Sequence, residues 1–431
     1  METERERKRR KSTSNDEHHH PGPGNCFENL PHEVALDIIS RLFIKSVIQF
    51  RFVCRSWNKL SHDPDLVNLH LTRALENKDI SLIFHCDYPV NNQLYFVEFA
   101  DQNPDKDVLR KIQTPFSTFM PEFQVVSSCN GLLCLSNSLF HDGPYVYNPF
   151  TGDYKVLPKS TEFQDQDVVL GFGFHPNTNE YRVIRIVYYW NLYELPPRMS
   201  RRFRYQNFPG SEVQIFCQGS EKWRVIGDIP YKLDQSSGGV FVNGKLHWVS
   251  LWGKNHCRRD RILVSFDLSN EIFSEVPLPE NDVNLFRHRY SLSVLGGCLS
   301  IVDPSSTNYW VQDIWIMKEY GVKESWEKVF SIGAYDVTRY WSPEMRRTYR
   351  IWKNVINQRY VRVLCLLSNG EVLLQYRWGA LVSYNPENGM FKDIKFPGMP
   401  KFFHITVHIG SLSRASKCPS DVNESQLNWK T

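Results

Sequence analysis

Two segments of the chain combine aromatic rings with arginines, the side chains that often dominate the binding energy of protein interfaces. They span residues 188–208 and 335–359. Long insertions on a rigid scaffold commonly carry binding, so we predict that both segments form a target-recognition face that prefers an acidic partner. The predicted contacts are Trp190, Arg201, Arg202, Trp341, Arg346 and Arg347. The alternative is that these segments are ordinary strands and solvated loops.

The same side chains could instead read nucleic acid, with arginines pairing with phosphates and rings stacking on bases. The 431-residue chain has 51 Lys and Arg against 47 Asp and Glu, a net charge of +4. So balanced a charge disfavours a nucleic-acid partner. No run approaches the roughly 18 apolar residues that a membrane span needs. We therefore expect a protein target, with no nucleic-acid or membrane partner.

The motifs of common catalytic sites are missing from the sequence, which has no GxxxxGK[ST], HExxH or GxSxG. Gly171-Phe172-Gly173-Phe174 lacks the third glycine and the helix of a phosphate loop, and it indicates a strand with close backbone packing. His256-Cys257 is typical of a solvated loop. The ten cysteines are scattered, without a CxxC pair, which indicates reduced thiols. We predict no catalytic residue, no metal and no cofactor.

Residues 27–77 have the apolar spacing of three short helices. The first runs from about Pro31 to Leu42, with one apolar stripe and charged residues on the other side. The second starts near Ser46, and Asp63-Pro64 opens the third. A unit of about 45 residues has a marginal core without staples or a partner. We therefore predict that its apolar stripes continue into a partner protein.

From about residue 80, short apolar and aromatic runs alternate with turn signals. Two-residue hairpin turns are predicted at Asn130-Gly131, Asn243-Gly244, Gly296-Gly297 and Asn369-Gly370. A second hairpin follows most of them, which gives four strands per unit and five clear units from about 123 to 398. Residues 80–115 supply a partial unit, and Phe402–Ile409 could pair with it and close a ring. The spacing predicts a six-bladed β-propeller, with a β-sandwich or an irregular barrel as alternatives.

The predicted domains follow from these textures. Residues 1–24 form a disordered basic tail, 25–78 a helical module, 79–411 the propeller-like domain and 412–431 a disordered tail. The basic run Arg7–Lys11 is either a nuclear import signal or part of a solvated flexible tail. With no apolar leader at the N-terminus, we expect a protein of the nucleus, the cytoplasm or both.

The segment Phe27–Leu66 resembles the F-box, a family of short helical modules. The matching residues are Leu30-Pro31-x-Glu33-Val34, Ile38-Ile39-Ser40-Arg41-Leu42, Lys45-Ser46-Val47, Phe50–Trp57 and Asp63-Pro64. The rest resembles the plant F-box-associated (kelch-like) domain in Ser128–Cys134, Asn148–Gly152, Gly171–Phe174 and Val242–Trp248. The resemblance implies an α+β multidomain chain, with a small three-helix F-box followed by a mostly-β, kelch-like propeller.

The resemblance also implies a function. F-boxes dock on a Skp-type adaptor, which joins a cullin, and the second domain recruits the target for ubiquitin transfer. The chain would then be the non-catalytic substrate-recognition subunit of an SCF-type E3 ubiquitin ligase, or alternatively a scaffold outside a ligase. The expected adaptor contacts, shared with the local core, are Leu30, Pro31, Val34, Ile38, Leu42, Val53 and Trp57. Phe43 replaces the usual proline and Ala35 a larger apolar residue, and both are expected to weaken adaptor binding modestly.

Overall fold

The computed structural model describes most of the chain between residues 30 and 416. The described ranges are 30–88, 93–99, 108–116, 123–136, 143–163, 166–190, 209–234, 239–252, 261–279, 290–304, 311–333, 335, 361–376, 380–400 and 402–416. The predicted tail at residues 1–24 and the His256-Cys257 pair lie outside these ranges.

The described part of the chain begins with four helices rather than the three predicted. They are α1 (His32–Ser40), α2 (Ile44–Phe50), α3 (Arg55–Leu60) and α4 (Pro64–Asn77). The predicted second helix is interrupted at Cys54, whose backbone is extended at φ −156° and ψ 169°. The start of α4 is as predicted, because the Asp63 carboxylate accepts a hydrogen bond from the Asp65 amide at 2.9 Å and Pro64 occupies the first helical position.

The remaining elements form six antiparallel sheets, which we number as blades 1 to 6 along the ring. From the innermost strand outward, blade 1 consists of β25 (Phe402–Ile409), β1 (Ile80–Tyr88), β2 (Gln93–Glu98) and β3 (Arg110–Ile112). Blade 2 consists of β4 (Gln124–Cys129), β5 (Leu132–Ser136), β6 (Tyr145–Tyr147) and β7 (Tyr154–Val156). Blade 3 consists of β8 (Asp167–His175), β9 (Glu180–Tyr189), β10 (Gly210–Cys217) and β11 (Arg224–Gly227).

Blade 4 has five strands, because two short strands both pair with the same long strand. Blade 4 consists of β12 (Lys232–Leu233) and β13 (Val240–Val242), then β14 (Lys245–Trp252), β15 (Ile262–Asp267) and β16 (Phe273–Val276). Blade 5 consists of β17 (Ser291–Leu295), β18 (Cys298–Pro304), β19 (Gln312–Met317) and β20 (Trp326–Ile332). Blade 6 consists of β21 (Val361–Leu366), β22 (Val372–Tyr376), β23 (Ala380–Tyr384) and β24 (Phe391–Ile394). This confirms the six-bladed propeller.

Blade 1 is built from both ends of the domain. Its innermost strand, β25, comes from the C-terminal end and pairs with β1 in a register that places Ile409 opposite Ile80. The innermost strands of successive blades are neighbours around the whole circle, from β25 through β4, β8, β13 and β17 to β21. The predicted ring closure is therefore confirmed, and it pairs the sheet edges that would otherwise stay open.

The turns of the repeat use local chemistry that the sequence displays. At the predicted hairpin between β4 and β5, Asn130 and Gly131 both have positive φ, 45° and 86°, as a two-residue turn of this type requires. The outer hairpins of blades 2, 4 and 6 start with an equivalent residue whose side-chain oxygen accepts two backbone amides of its own turn: Asn148, Asp267 and Asn385.

The glycines of β8 give this strand close contact with blade 4. A Cβ at Gly171 would lie 2.5 Å from the Trp248 ring, and one at Gly173 would lie 2.7 Å from the Phe241 ring. Larger residues would push the blades apart, so these positions are glycine for packing reasons. The predicted strand with close backbone packing is therefore confirmed.

The propeller has two unlike ends. Because neighbouring strands are antiparallel, both hairpin turns of a blade lie at one end, which we call the turn face. The connections between second and third strands, and between blades, lie at the opposite end, the loop face. Residues 191–208 connect β9 to β10 and residues 336–360 are within the connection from β20 to β21, so both of these insertions leave from strand ends at the loop face.

The four-helix module joins the propeller at the turn face. Only two residues separate α4 from β1, and β1 begins beside the end of β25. The chain after β25 is also packed there, since Leu412 and Ala415 are buried. The predicted disordered tail at 412–431 is therefore corrected for residues 412–416, because the apolar side chains at 412 and 415 are buried against the domain. Residues 417–431 lie outside the described residues.

Candidate adaptor-binding and target-binding surfaces

Helix α1 divides its apolar residues between two faces. Ala35, Leu36 and Ile39 are buried, whereas Val34 and Ile38 remain 43% and 39% exposed. A helix places residues four apart on the same face, so Val34 and Ile38 form one exposed apolar strip. Both are among the predicted adaptor contacts, and the structure leaves them accessible.

The loops that flank α2 add large exposed apolar side chains. Phe43 is 69% exposed, Phe52 is 85% exposed and Val53 is 61% exposed. Only Val53 of these was predicted as an adaptor contact. Phe52 was missed because it lies outside the helical spacing through Phe50 and Val53 on which the second helix was predicted. We define the open F-box surface as Val34, Ile38, Phe43, Phe52 and Val53.

The other predicted adaptor residues have mixed positions. Leu30 is half-buried, while Pro31 is exposed and its carbonyl accepts the Ala35 amide at 3.1 Å. Leu42 is half-buried and packs against the module's core. Trp57 is half-buried and stacks on Phe50, with ring centroids 4.1 Å apart. Leu42 and Trp57 therefore contribute to internal packing of the module.

The first and last helices are joined by a charged contact. The Arg73 guanidinium on α4 donates to the carboxylate of Asp37 on α1, and at 2.7 Å to its backbone carbonyl. Arg41 donates to the same carboxylate at 3.2 Å. Arg73 first, and then Arg41, hold the pKa of Asp37 below its ordinary value. This contact holds α1 against α4 and so sets the orientation of the exposed strip on α1.

A buried histidine joins α4 to the end of α1. Nε2 of His70 lies 3.0 Å from the carbonyl oxygen of Leu42, so the neutral ring donates its N–H there. Burial lowers the pKa of His70, which favours this neutral form at neutral pH. The position of Leu42, and with it the start of the Phe43 loop, is thereby defined.

The opposite side of the module is covered by the propeller. Leu36, Ile39, Ile44, Val47 and Leu66 form one apolar cluster that includes Leu412 from the segment after β25. From the sequence, the apolar stripes were expected to continue into a partner protein. The structure corrects this for the inner stripe, which the chain covers itself. The open F-box surface lies outside this covered cluster and stays exposed.

An ion pair adds to this contact between module and propeller. Nζ of Lys45 on α2 lies 2.6 Å from a carboxylate oxygen of Glu98 at the end of β2. The same ammonium lies 4.9 Å from the centroid of the Phe96 ring, within the range of a cation–π contact. The position of α2 on the turn face is therefore specified by charge as well as by apolar packing.

One predicted target contact falls in the core. Trp190 is 9% exposed and packs in the cluster of blades 3 and 4 with Ile229 and Tyr231. The prediction that it contacts a target is not supported, because a bulky ring at a strand end packs under its neighbours more readily than it stays in water. The other predicted target residues, Arg201, Arg202, Trp341, Arg346 and Arg347, lie outside the described residues.

A buried lysine lies beside Trp190 at the loop face. Nζ of Lys232 is 3.0 Å from an Asp167 carboxylate oxygen. It also lies 3.9 Å from the Tyr188 ring centroid and 5.0 Å from that of Trp190. The ammonium thus has both an opposite charge and two aromatic faces. This cluster fixes the strand ends from which the 191–208 connection departs.

The described residues offer little for catalysis. No group of three or more His, Cys, Asp or Glu within the described ranges is arranged to hold a metal ion. Burial raises the pKa of the Cys134 thiol to about 12, so it is not a nucleophile at neutral pH. Among the described helices, none is long and apolar enough to span a bilayer.

Comparison with protein families agrees with the architecture. An F-box-like family matches residues 27–68, and the F-box associated beta propeller domain matches residues 81–416. The chain belongs to the F-box proteins with an associated β-propeller. The helical module is thus the F-box, and the six-bladed ring is its associated domain.

The F-box chain has plant relatives that cover nearly all of it. It is 42% identical over 400 residues to F-box protein At3g07870 of Arabidopsis thaliana, covering 91% of this chain and 93% of the relative. It is 25% identical over 412 residues to F-box protein CPR1 of the same plant, covering 91% and 90%. The similarity therefore extends along almost the full length of this chain.

Proposed function

We propose that the chain is the substrate-recognition subunit of an SCF-type E3 ubiquitin ligase. Its F-box binds a Skp-type adaptor and, through the adaptor, a cullin, while the propeller captures a target protein for ubiquitination. The chain itself supplies no catalytic residue. F-box and propeller together fit this general role, and the family membership supports it.

The open F-box surface is the single observation that carries the proposal. Its five apolar side chains are 39% to 85% exposed, and Phe52 is the most exposed. Five exposed apolar side chains of this size on so short a module indicate a surface that binds a partner. The other apolar side of the F-box is already covered by the propeller, so this surface is the one available to the adaptor.

The target would bind at the loop face, away from the adaptor. The F-box occupies the turn face, and the 191–208 and 336–360 connections leave from the loop face. The arginines and rings of these connections favour an acidic protein target. Adaptor and target would then be on opposite ends of a rigid ring, where they do not compete for space.

Calorimetric titration of the purified chain with a Skp-type adaptor tests the proposal. We expect the double variant Val34→Asp, Ile38→Asp to weaken binding by about tenfold or more, because charge is placed on an apolar contact. Val225, which is 53% exposed on β11, gives the matched control Val225→Asp, expected to bind like the parent chain.

Ionic strength separates this function from nucleic-acid binding. An apolar adaptor contact should change little between low and moderate salt, whereas phosphate contacts weaken steeply. No adaptor binding by the parent chain, or equal losses in the F-box and Val225 variants, would contradict the proposal.

A further inference from the structure

The segment after the last propeller strand lies between three parts of the molecule. We define residues 410–416 as the C-terminal clasp. Ser411 and Leu412 have exposed fractions of 0% and 2%, and Ala415 of 3%. A segment this short makes no sheet or helix of its own here, so its burial comes entirely from contacts with its surroundings.

The clasp is bound to blades 2 and 3 through its backbone. Asn148 of blade 2 donates through its side-chain amide to the carbonyls of Ser411 and Ser413, at 2.9 and 2.8 Å. The Ala415 amide donates to Asp153 at 2.7 Å, and Gln218 of blade 3 donates to the Arg414 carbonyl at 2.8 Å. Side chains thus satisfy a buried backbone that has no strand partner, and they define its path.

The other side of the clasp contacts the F-box. The Leu412 side chain belongs to the F-box core cluster with Leu36, Ile39, Val47 and Leu66. Gly410 is approached so closely that an added Cβ would lie 2.9 Å from Ile44 and 3.0 Å from Phe150 of blade 2. There is no room for a side chain between F-box and propeller at this point.

We propose that the clasp is a positioning element, in which Leu412 is an F-box core residue supplied from the opposite end of the chain. Four short helices bury little apolar surface by themselves, so a residue that fills their core also sets where they sit. The clasp thereby fixes the F-box on the turn face. In terms of the proposed function, on which this last step rests, it sets the direction in which the loop face points relative to the bound adaptor.

Hydrogen–deuterium exchange on the full chain tests this inference without an adaptor. We expect Leu412→Asp and Gly410→Val to speed amide exchange in α1 and α2 by about tenfold or more, because the F-box core opens. Exchange in β15 and β18, in the distant blades 4 and 5, should be unchanged. Leu412→Met keeps the volume and should behave like the parent chain.

Two further controls isolate the clasp from general effects. Gly333 has open space around its Cβ position and no positive φ, so Gly333→Val tests the glycine change itself and should be silent. A chain ending at residue 416 should behave like the parent, while a chain ending at residue 409 should show the fast exchange of α1 and α2.

A zero-length carbodiimide cross-link gives an independent positional measurement. Lys45 and Glu98 are an ion pair 2.6 Å apart across the interface, so the parent chain should yield the cross-linked peptide. Leu412→Asp should reduce its yield several-fold. Unchanged exchange in α1 and α2 with an undiminished cross-link would overturn the inference, and so would equally fast exchange in β15 and β18, which would make the clasp a general propeller stabiliser. If the parent chain did not bind the adaptor, this would count only against the proposed function, because neither the exchange nor the cross-linking measurement uses the adaptor.

Discussion

The hydroxyl of Tyr320 donates a hydrogen bond to Nε2 of His247 at 2.7 Å, and this contact joins blade 5 to blade 4. The other ring nitrogen, Nδ1, lies 3.1 Å from the Val240 carbonyl, to which it donates. A neutral imidazole satisfies both contacts. Burial lowers the pKa of His247 to about 4, which keeps the ring neutral near pH 7.

Replacing this histidine should destabilise the propeller. In His247→Phe the Tyr320 hydroxyl and the Val240 carbonyl each lose their bond to the imidazole, and we expect the free energy of unfolding to fall by about 2 kcal/mol. Tyr320→Phe removes one hydrogen bond and should cost about 1 kcal/mol. Urea unfolding measures both, with Tyr154→Phe at a 38% exposed position of β7 as control. Equal stability of His247→Phe and the parent chain would contradict this account.

Stability should fall on mild acidification. Burial lowers the pKa of three histidines from the ordinary 6.5: His70, His247 to about 4 and His408 to about 3. The unfolded chain therefore binds more protons than the folded chain below pH 6.5, so stability is fully present above that value and declines as pH falls towards 4. The loss approaches about 1.4 kcal/mol per pH unit for each group.

The surroundings of these histidines modify the pH effect in both directions. Asp79 raises the pKa of His70 and so reduces the contribution of His70 to the pH dependence of stability. Lys245 lowers the pKa of His247 and so increases the contribution of His247. Urea midpoints at pH 7.5, 6 and 5 measure the trend. His247→Gln removes one titrating group, so its urea midpoint should change less with pH than that of the parent chain. A midpoint independent of pH over this range would refute the prediction.

A buried arginine latches blade 3 to blade 4. Arg182 donates to the Leu268 carbonyl at 2.6 Å and to Glu271 at 3.2 Å. We expect Arg182→Met to lower the free energy of unfolding by about 2 kcal/mol, because the buried Leu268 carbonyl and the half-buried Glu271 carboxylate lose a charged donor. Arg224 pairs with the same Glu271 but its side chain is 54% exposed, so Arg224→Met should cost under about 1 kcal/mol. The reverse order of the two losses would count against the latch.

Two phenylalanines outside the original set of predicted contacts should matter for adaptor binding. Phe52 and Phe43 are the most exposed residues of the open F-box surface, and large rings are frequent interface anchors. We expect Phe52→Ala and Phe43→Ala each to weaken adaptor binding by about fivefold or more without changing the unfolding midpoint. Ile272→Ala, at a 56% exposed propeller position, is the control. If the adaptor bound all three variants alike, these rings would not be contacts.

The propeller was predictable from the sequence because its turns repeat local chemistry. Asn148, Asp267 and Asn385 each begin an outer hairpin with the same side-chain-to-backbone bonds, and such bonds depend on neighbours within three residues. The packing of Leu412 into the F-box was not predictable, because it joins positions more than 340 residues apart in the chain and no local pattern encodes it. The break at Cys54 was missed for a related reason, since apolar spacing continued through it and packing decided the backbone.

Asn148 performs two separable tasks, and one substitution can divide them. Its side-chain oxygen accepts the amides of Phe150 and Thr151, while its amide nitrogen donates to the clasp. Asp267 shows that an aspartate forms the same turn in blade 4. Asn148→Asp should therefore keep the turn, lose both donors to the clasp and place a carboxylate against two carbonyls. We expect the free energy of unfolding to fall by about 2–3 kcal/mol and amide exchange in α1 and α2 to become faster.

Asn385→Asp provides the matched control for this change. Asn385 makes the two equivalent turn bonds in blade 6, to the amides of Glu387 and Asn388, so the same substitution should leave F-box exchange unchanged. Hydrogen–deuterium exchange and urea unfolding of both variants complete the measurement. If Asn148→Asp and Asn385→Asp gave the same small effect, the amide of Asn148 would not be what holds the clasp, and its bonds to Asp153 and Gln218 together with the packing of Leu412 would have to hold it instead.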